Sequence, residues 1–172
     1  WGDDEHGQLG SLASQNGAFV EVTELPSDFE LTLLDAGDDI TCAAGHLVDA
    51  MLMPTESRVY CWGKGVGRWG VADPDTDARL PKLIKTYPLQ QDVMQLSVGG
   101  GHACTLLKTG TLECWGRNDF HQATSSDEPF LAEPTEVTPP TDRVFTDITT
   151  GHQHTCALAE LPGDIALVPE KY

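Results

Sequence analysis

Positive charge is what this 172-residue chain has least of. Ten Lys and Arg stand against 27 Asp and Glu, a formal charge of −17 with a pI near 4.4. None of the ten precedes Arg58, and six fall between Arg58 and Lys85. Binding to a phosphate backbone draws on clustered Lys and Arg that displace counterions, so no nucleic-acid partner is expected. The chain also lacks any run of about 18 apolar residues, and with it a helical membrane span. No initiator methionine or leader-like segment is present, so targeting signals are not visible. No stretch carries the 3.6-residue apolar stripe of a surface helix, and short strands split by turn residues give an all-β class. A glycine-rich phosphate loop and a serine in a strained nucleophile turn are missing as well. Carboxylates are so abundant that no single pair marks a general acid and base. Such an excess of acid keeps a chain soluble and steers basic partners toward it.

What is present is a repeat. Cys61-Trp62-Gly63 returns as Cys114-Trp115-Gly116, and the chain opens on Trp1-Gly2. In step with it, Gly99-Gly-Gly-His102-Ala-Cys104-Thr-Leu106 is matched by Gly151-His-Gln-His154-Thr-Cys156-Ala-Leu158. A reduced copy is read upstream at Gly45-His-Leu-Val48-Asp-Ala50-Met-Leu52, with Val48 and Ala50 where His and Cys are due. This sets the glycines 54 and 52 residues apart. A third marker, Gly7-Gln8-Leu9-Gly10, is echoed as Gly67-Arg68-Trp69-Gly70 and His121-Gln122-Ala123-Thr124. A period of about 53 residues means units that cannot bury their apolar faces alone and must stack on one another. The units are drawn at 1–10 (partial), 11–70, 71–124 and 125–172, the last incomplete because Leu167-Val168 stand where Cys-Trp is due. Strands are expected at 39–44, 49–53, 59–62, 95–99, 103–107, 111–115, 145–150 and 155–159. Connectors rich in Pro, Asp, Ser and Thr fill 11–38, 71–92 and 125–141. Pro129, Pro134, Pro139 and Pro140 cannot donate to a ladder, which makes the last connector edge strand or loop.

Taken in order, glycine, histidine, cysteine and leucine, then a turn, Cys-Trp-Gly and a Gly-Gln-Leu-Gly segment resemble the regulator of chromosome condensation repeat family. The resemblance covers nearly the whole chain. It implies a β-propeller, usually of seven blades, each a four-stranded antiparallel sheet. Three copies of about 53 residues fall short of the roughly four to eight blades that close a propeller. A fragment of about three blades is therefore expected, abutting further blades of the same full-length chain. The resemblance makes Trp62, Gly63, Gly99, His102, Trp115, Gly116, Gly151 and His154 blade-building positions.

Hairpin geometry extends this to the cysteines. With Lys108-Thr109-Gly110 as a three-residue loop and Gly110 left-handed, residues 106 and 112, 105 and 113, and 104 and 114 stand opposite. Cys104 and Cys114 then face each other, and a disulfide is expected. By the same register Cys61 faces Ala50 and Cys156 faces Leu167, while Cys42 is expected as a buried free thiol. Five cysteines with one pair lean toward an extracellular or other oxidising compartment.

Two clusters imitate metal sites. His152, His154 and Cys156 alternate and are the weak candidates for zinc, but His154 and Cys156 already fill repeat positions and no fourth ligand is apparent. Asp73, Asp75 and Asp77 open like a calcium loop, yet Ala78 replaces its glycine and Ile84 its closing Glu. No metal, cofactor or catalytic residue is assigned. Arg68 and Trp69, in the segment holding most of the positive charge, have the residue types of an interface anchor. The function read from the chain is a non-enzymatic protein–protein interaction scaffold. The alternatives are a guanine nucleotide exchange regulator of a small GTPase, an activity found in the family, and a metal-dependent hydrolase using the His152 strand.

Overall fold

Two four-stranded antiparallel sheets and a two-stranded one follow each other along the chain in the computed structural model, which describes residues 1–12, 17, 19–66 and 77–162. The first sheet holds β1 (Phe29–Ala36), β2 (Ile40–Val48), β3 (Pro54–Gly63) and β4 (Ala78–Tyr87), in that spatial order. The second repeats the plan with β5 (Val93–Val98), β6 (His102–Leu107), β7 (Leu112–Arg117) and β8 (Phe130–Val137). β9 (Val144–Thr150) and β10 (Thr155–Glu160) form the third. Among the described elements the only helical turn is Leu89–Gln91. This is a β-propeller segment of up-and-down sheets.

The first copy lies elsewhere than the sequence reading places it. Gly37, Gly99 and Gly151 each donate their N–H to the carbonyl three residues on, at Ile40, His102 and His154. The repeat glycine is therefore Gly37, not Gly45, and the spacings are 62 and 52 residues. Ile40 takes the histidine position and Cys42 the cysteine position; Val48 and Ala50 take neither. Gly45 sits inside β2, where its Cα lies against the carbonyl of Glu30. The expected strand 49–53 is a hairpin tip. Cys61 faces Cys42 rather than Ala50, and the two form a disulfide across β2 and β3. Cys104 and Cys114 are joined in the same way across β6 and β7. The shift arises because the first hairpin is longer: its bridged cysteines are 19 residues apart against 10 in the second.

The connectors also hold structure. β1 and β4 lie within 11–38 and 71–92, and β8 within 125–141. In both complete sheets the last strand is bulged beside the Cys-Trp-Gly segment, and the β3–β4 ladder shifts once more between Val59 and Tyr60. Cys61 pairs Lys82 while Gly63 pairs Ala78, and Cys114 pairs Thr135 while Gly116 pairs Leu131. Pro81 and Pro134 fall inside those bulges, where a missing N–H breaks no regular ladder bond.

The sheets pack face to face. Cys42, Val59 and Cys61 of the first share a buried cluster with Val98, Ala103 and Trp115 of the second. Cys104, Leu106, Leu112 and Cys114 then meet Phe145 and Ile148 of the third. Each large apolar side chain so buried stabilises the stack by about 1.5–3 kcal/mol. Close backbone approach fixes the inner edge. A Cβ on Gly37 would collide with the carbonyl of Gly99, and one on Gly99 would lie 2.5 Å from the carbonyl of Gly151. Equivalent side chains stitch the same seam: Asp35 accepts the N–H of Val98 (2.7 Å), and Ser97 Oγ accepts that of Thr150 (3.0 Å).

Candidate functional site

Two features stand out on this scaffold, the turns that clamp one blade to the next and an apolar tip standing clear of the sheets. The turns come first because they fix most of the sequence-marked residues. After Trp1-Gly2 and again after Trp115-Gly116 the chain makes a tight loop organised by one side chain. Asp4 Oδ1 accepts the N–H of Leu9 (2.9 Å), and Asn118 Oδ1 accepts those of Ala123 (3.0 Å) and Thr124 (2.9 Å). His121 takes the left-handed conformation (φ 57°) that Gly7 takes in the first turn (φ 82°), so His121 opens its turn as Gly7 does, while Thr124 does not take the positive φ of Gly10 (φ 73°).

The turn then grips the following sheet. Gln8 O accepts both Thr41 Oγ1 and Trp62 Nε1, each at 2.9 Å. Gln122 O accepts Thr155 Oγ1 at 2.7 Å. Because the single hydroxyl proton of Thr155 is given to Gln122, the 2.9 Å contact between Thr155 Oγ1 and His102 Nε2 is donated by the imidazole. His102 is therefore the Nε2–H tautomer, with Nδ1 buried and without a partner. Burial, assisted by the nearby His154, pulls its pKa down to about 4, and the ring is a neutral packing group covering Gly99. On the opposite seam, Tyr87 OH donates to Glu113 (2.8 Å), which also pairs with Lys85 Nζ (2.8 Å). Burial, then the Glu113 carboxylate, holds the Tyr87 phenol protonated well above the usual tyrosine range.

The zinc candidates do not converge. β10 begins only at Thr155, so His152 and His154 lie in the preceding turn rather than on one strand with Cys156. His152 Nδ1 is engaged by Asp38, His154 covers Gly151, and Cys156 is an exposed free thiol. Among the described residues no group of three or more His, Cys, Asp or Glu is placed to hold a metal. Asp77 binds His6 and the N–H of Gly65; Asp73 and Asp75 lie outside the described residues, as do Arg68 and Trp69.

The apolar tip was not marked by sequence reading. At the end of the β2–β3 hairpin, Met51, Leu52 and Met53 are 79%, 77% and 59% exposed. Asp49 builds the loop: its Oδ1 accepts the N–H of Met51 (2.8 Å) and of Met53 (3.0 Å), and its own N–H donates to Met53 O (2.9 Å). Leu52 is held at φ 60° in this hairpin turn, an uncommon conformation for a bulky residue. The available signal was Asp49 opening a turn before three apolar residues and Pro54, a pattern without strand alternation.

Fold and seam together define a propeller segment built from sequence repeats. Residues 93–122 match the Regulator of chromosome condensation (RCC1) repeat. Probable E3 ubiquitin-protein ligase HERC4 is 29% identical in Homo sapiens and 30% in Rattus norvegicus over 125 residues, 72% of this chain and 11% of theirs. BTB/POZ domain-containing protein 1 of Schizosaccharomyces pombe is 28% identical over 126 residues, 73% of this chain and 9% of its own. The chain thus spans about a tenth of these relatives' length. In fold it is similar to human WBSCR16 (TM-score 0.69, 20% identity, 93% of this chain and 39% of that one). It is equally similar to Saccharomyces cerevisiae Prp20p (TM-score 0.69, 16% identity, 94% and 39%), whose structure was described with its binding to Gsp1p and histones. The chain belongs to the RCC1-repeat β-propeller family.

Proposed function

We propose that this chain is a non-enzymatic protein-recognition scaffold that presents the Met51-Leu52-Met53 tip to a basic partner protein. The exposed apolar tip carries the reading. Three large side chains are held clear of the core on a loop that Asp49 pre-organises, which lowers the entropic cost of binding. Methionine adapts to irregular partner surfaces. The electrostatics favour a partner whose docking cleft is rimmed by Lys and Arg, because residues 1–57 contain no Lys or Arg. Arg68 and Trp69 are proposed as a second contact, following the hot-spot preference for these residue types.

Histones, named with Prp20p, supply a basic probe. Fluorescence anisotropy with labelled core histones should show salt-sensitive binding that falls by about tenfold or more in Met51→Ser/Met53→Ser, with thermal stability unchanged. Binding indifferent to the tip would refute the reading. Acceleration of nucleotide release from Gsp1p would replace it with the exchange-regulator alternative.

A further inference from the structure

Five cysteines and three methionines supply all the sulfur in this chain, and the fold sorts it into two sets. Four sulfurs are locked in the Cys42–Cys61 and Cys104–Cys114 disulfides, whose residues are all fully buried. The other four lie outside the core: the free thiol of Cys156 is exposed, and so are Met51, Met53 and Met94. Methionine commonly fills irregular gaps between packed elements. Here the clusters that join the sheets are packed with Val, Leu, Ile, Ala, Trp and disulfides, and every thioether stands where solvent reaches it.

That placement confines oxidation to the surface, and at the hairpin tip it changes the chemistry of the surface itself. Hydrogen peroxide is uncharged at neutral pH, so the formal charge of −17 does not hold it off. The thioether sulfur attacks one peroxide oxygen, an S–O bond forms, the O–O bond breaks, and the second oxygen leaves as water. Sulfur gives up two electrons, and a flexible apolar side chain becomes a polar sulfoxide. Met51 and Met53 are two of the three large side chains of the tip. Its shape rests on Asp49, whose Oδ1 accepts the backbone N–H groups of both methionines and whose own N–H donates to Met53 O. None of these bonds uses a methionine side chain, so the loop outlasts the loss of its apolar character.

We infer that Met51 and Met53 are a modification site for peroxide, and that their conversion to sulfoxides switches the tip off while the propeller segment stays folded. The release of a partner rests on the recognition role proposed for the tip; the oxidation does not. A sulfoxide carried into an apolar cleft gives up its hydrogen bonds to water without replacement, which opposes docking. The change is reversible, because a sulfoxide on an exposed loop is open to the reductases that act on either epimer, where the oxygen leaves as water and two thiols join as a disulfide.

The test uses the whole chain with Cys156 capped by N-ethylmaleimide, beside a Met51→Leu/Met53→Leu variant capped in the same way. Leucine keeps the tip apolar and removes its sulfur, while Met94 remains in both proteins. Each is treated with hydrogen peroxide in the presence of N-acetylmethionine and quenched with catalase. Mass spectrometry should show Met51 and Met53 each gaining an oxygen as fast as the free standard. Oxidation should make the parent elute earlier from a phenyl column and weaken its binding to labelled core histones by about tenfold or more, with an unchanged thermal midpoint. The leucine variant should keep its elution and affinity, and sulfoxide reductases A and B together should restore the parent. Tip methionines left intact while the standard is consumed, elution or histone binding that survives full oxidation, an equal change in the leucine variant, or a lowered thermal midpoint would overturn the proposal. A parent that never binds histones but whose elution shifts on oxidation would remove the partner reading and leave the switch standing.

Discussion

Replacing Cys42 and Cys61 together by alanine should lower the stability of the oxidised chain by about 3 kcal/mol. Both residues are fully buried, in the cluster that joins the first two sheets, so serine would add the cost of an unpaired hydroxyl and alanine is the cleaner change. The bridged cysteines are 19 residues apart. On the chain-entropy relation a loop of that size restricts the unfolded ensemble by about 3.2 kcal/mol, against about 2.7 kcal/mol for the separation of 10 between Cys104 and Cys114. Urea denaturation of the oxidised protein reads the difference directly, with a midpoint shift of about 1–3 M at the slopes usual for small domains. Peptide mapping after alkylation supplies the covalent check. The reasoning fails if Cys42 is alkylated in oxidised native protein, or if the double alanine variant stays within about 0.5 kcal/mol of its parent.

The buried imidazole gives a pH dependence with a defined sign. His102 is held at about pKa 4 in the folded chain against about 6.5 when unfolded, so stability is unaffected by this group above pH 6.5. It falls as pH drops from there toward 4, by on the order of 3 kcal/mol in all. Urea midpoints between pH 7 and 4.5 should drop more steeply for the parent than for His102→Gln, and parallel profiles would disprove the assignment. Gly99→Ala should cost about 1–3 kcal/mol through overpacking, since the added carbon would lie 2.5 Å from both Gly151 O and His102 Cε1. A thermal midpoint equal to that of the parent would show that the inner edge yields instead.

The inner hairpins were legible in sequence because their physics is local. Gly110 adopts φ 81°, and with it Leu106 stands opposite Leu112 and Cys104 opposite Cys114, as loop length alone requires. The outer strands were not legible. β1 is mostly exposed along its length and β4 alternates weakly, and each borrows its order from a neighbouring strand rather than from its own apolar pattern. Pro81 and Pro134 argue against strands when read alone. They are compatible only because both outer strands bulge at the same place beside the Cys-Trp-Gly segment, a feature that emerges from pairing.

The first copy was read out of phase for a related reason. Gly45-His46 imitates the Gly151-His152 dipeptide, whereas the true counterpart, Gly37-Asp-Asp-Ile40-Thr-Cys42, has lost the histidine. What the three copies share is contact: each glycine gives its N–H to the carbonyl three residues on, Gly37 and Gly99 lie against the next glycine's carbonyl, and Gly99 and Gly151 are covered by the histidine three residues on. Aligning letters favoured the wrong glycine and, with it, cast Asp49 to Met53 as a strand. Aligning contacts leaves those residues as surplus, nine more between the bridged cysteines of the first hairpin than of the second. The surplus lengthens the hairpin and ends it in the tip that carries Met51, Leu52 and Met53. The phase error and the unmarked apolar tip are thus one event, because the residues that broke the period are those the scaffold did not need for packing.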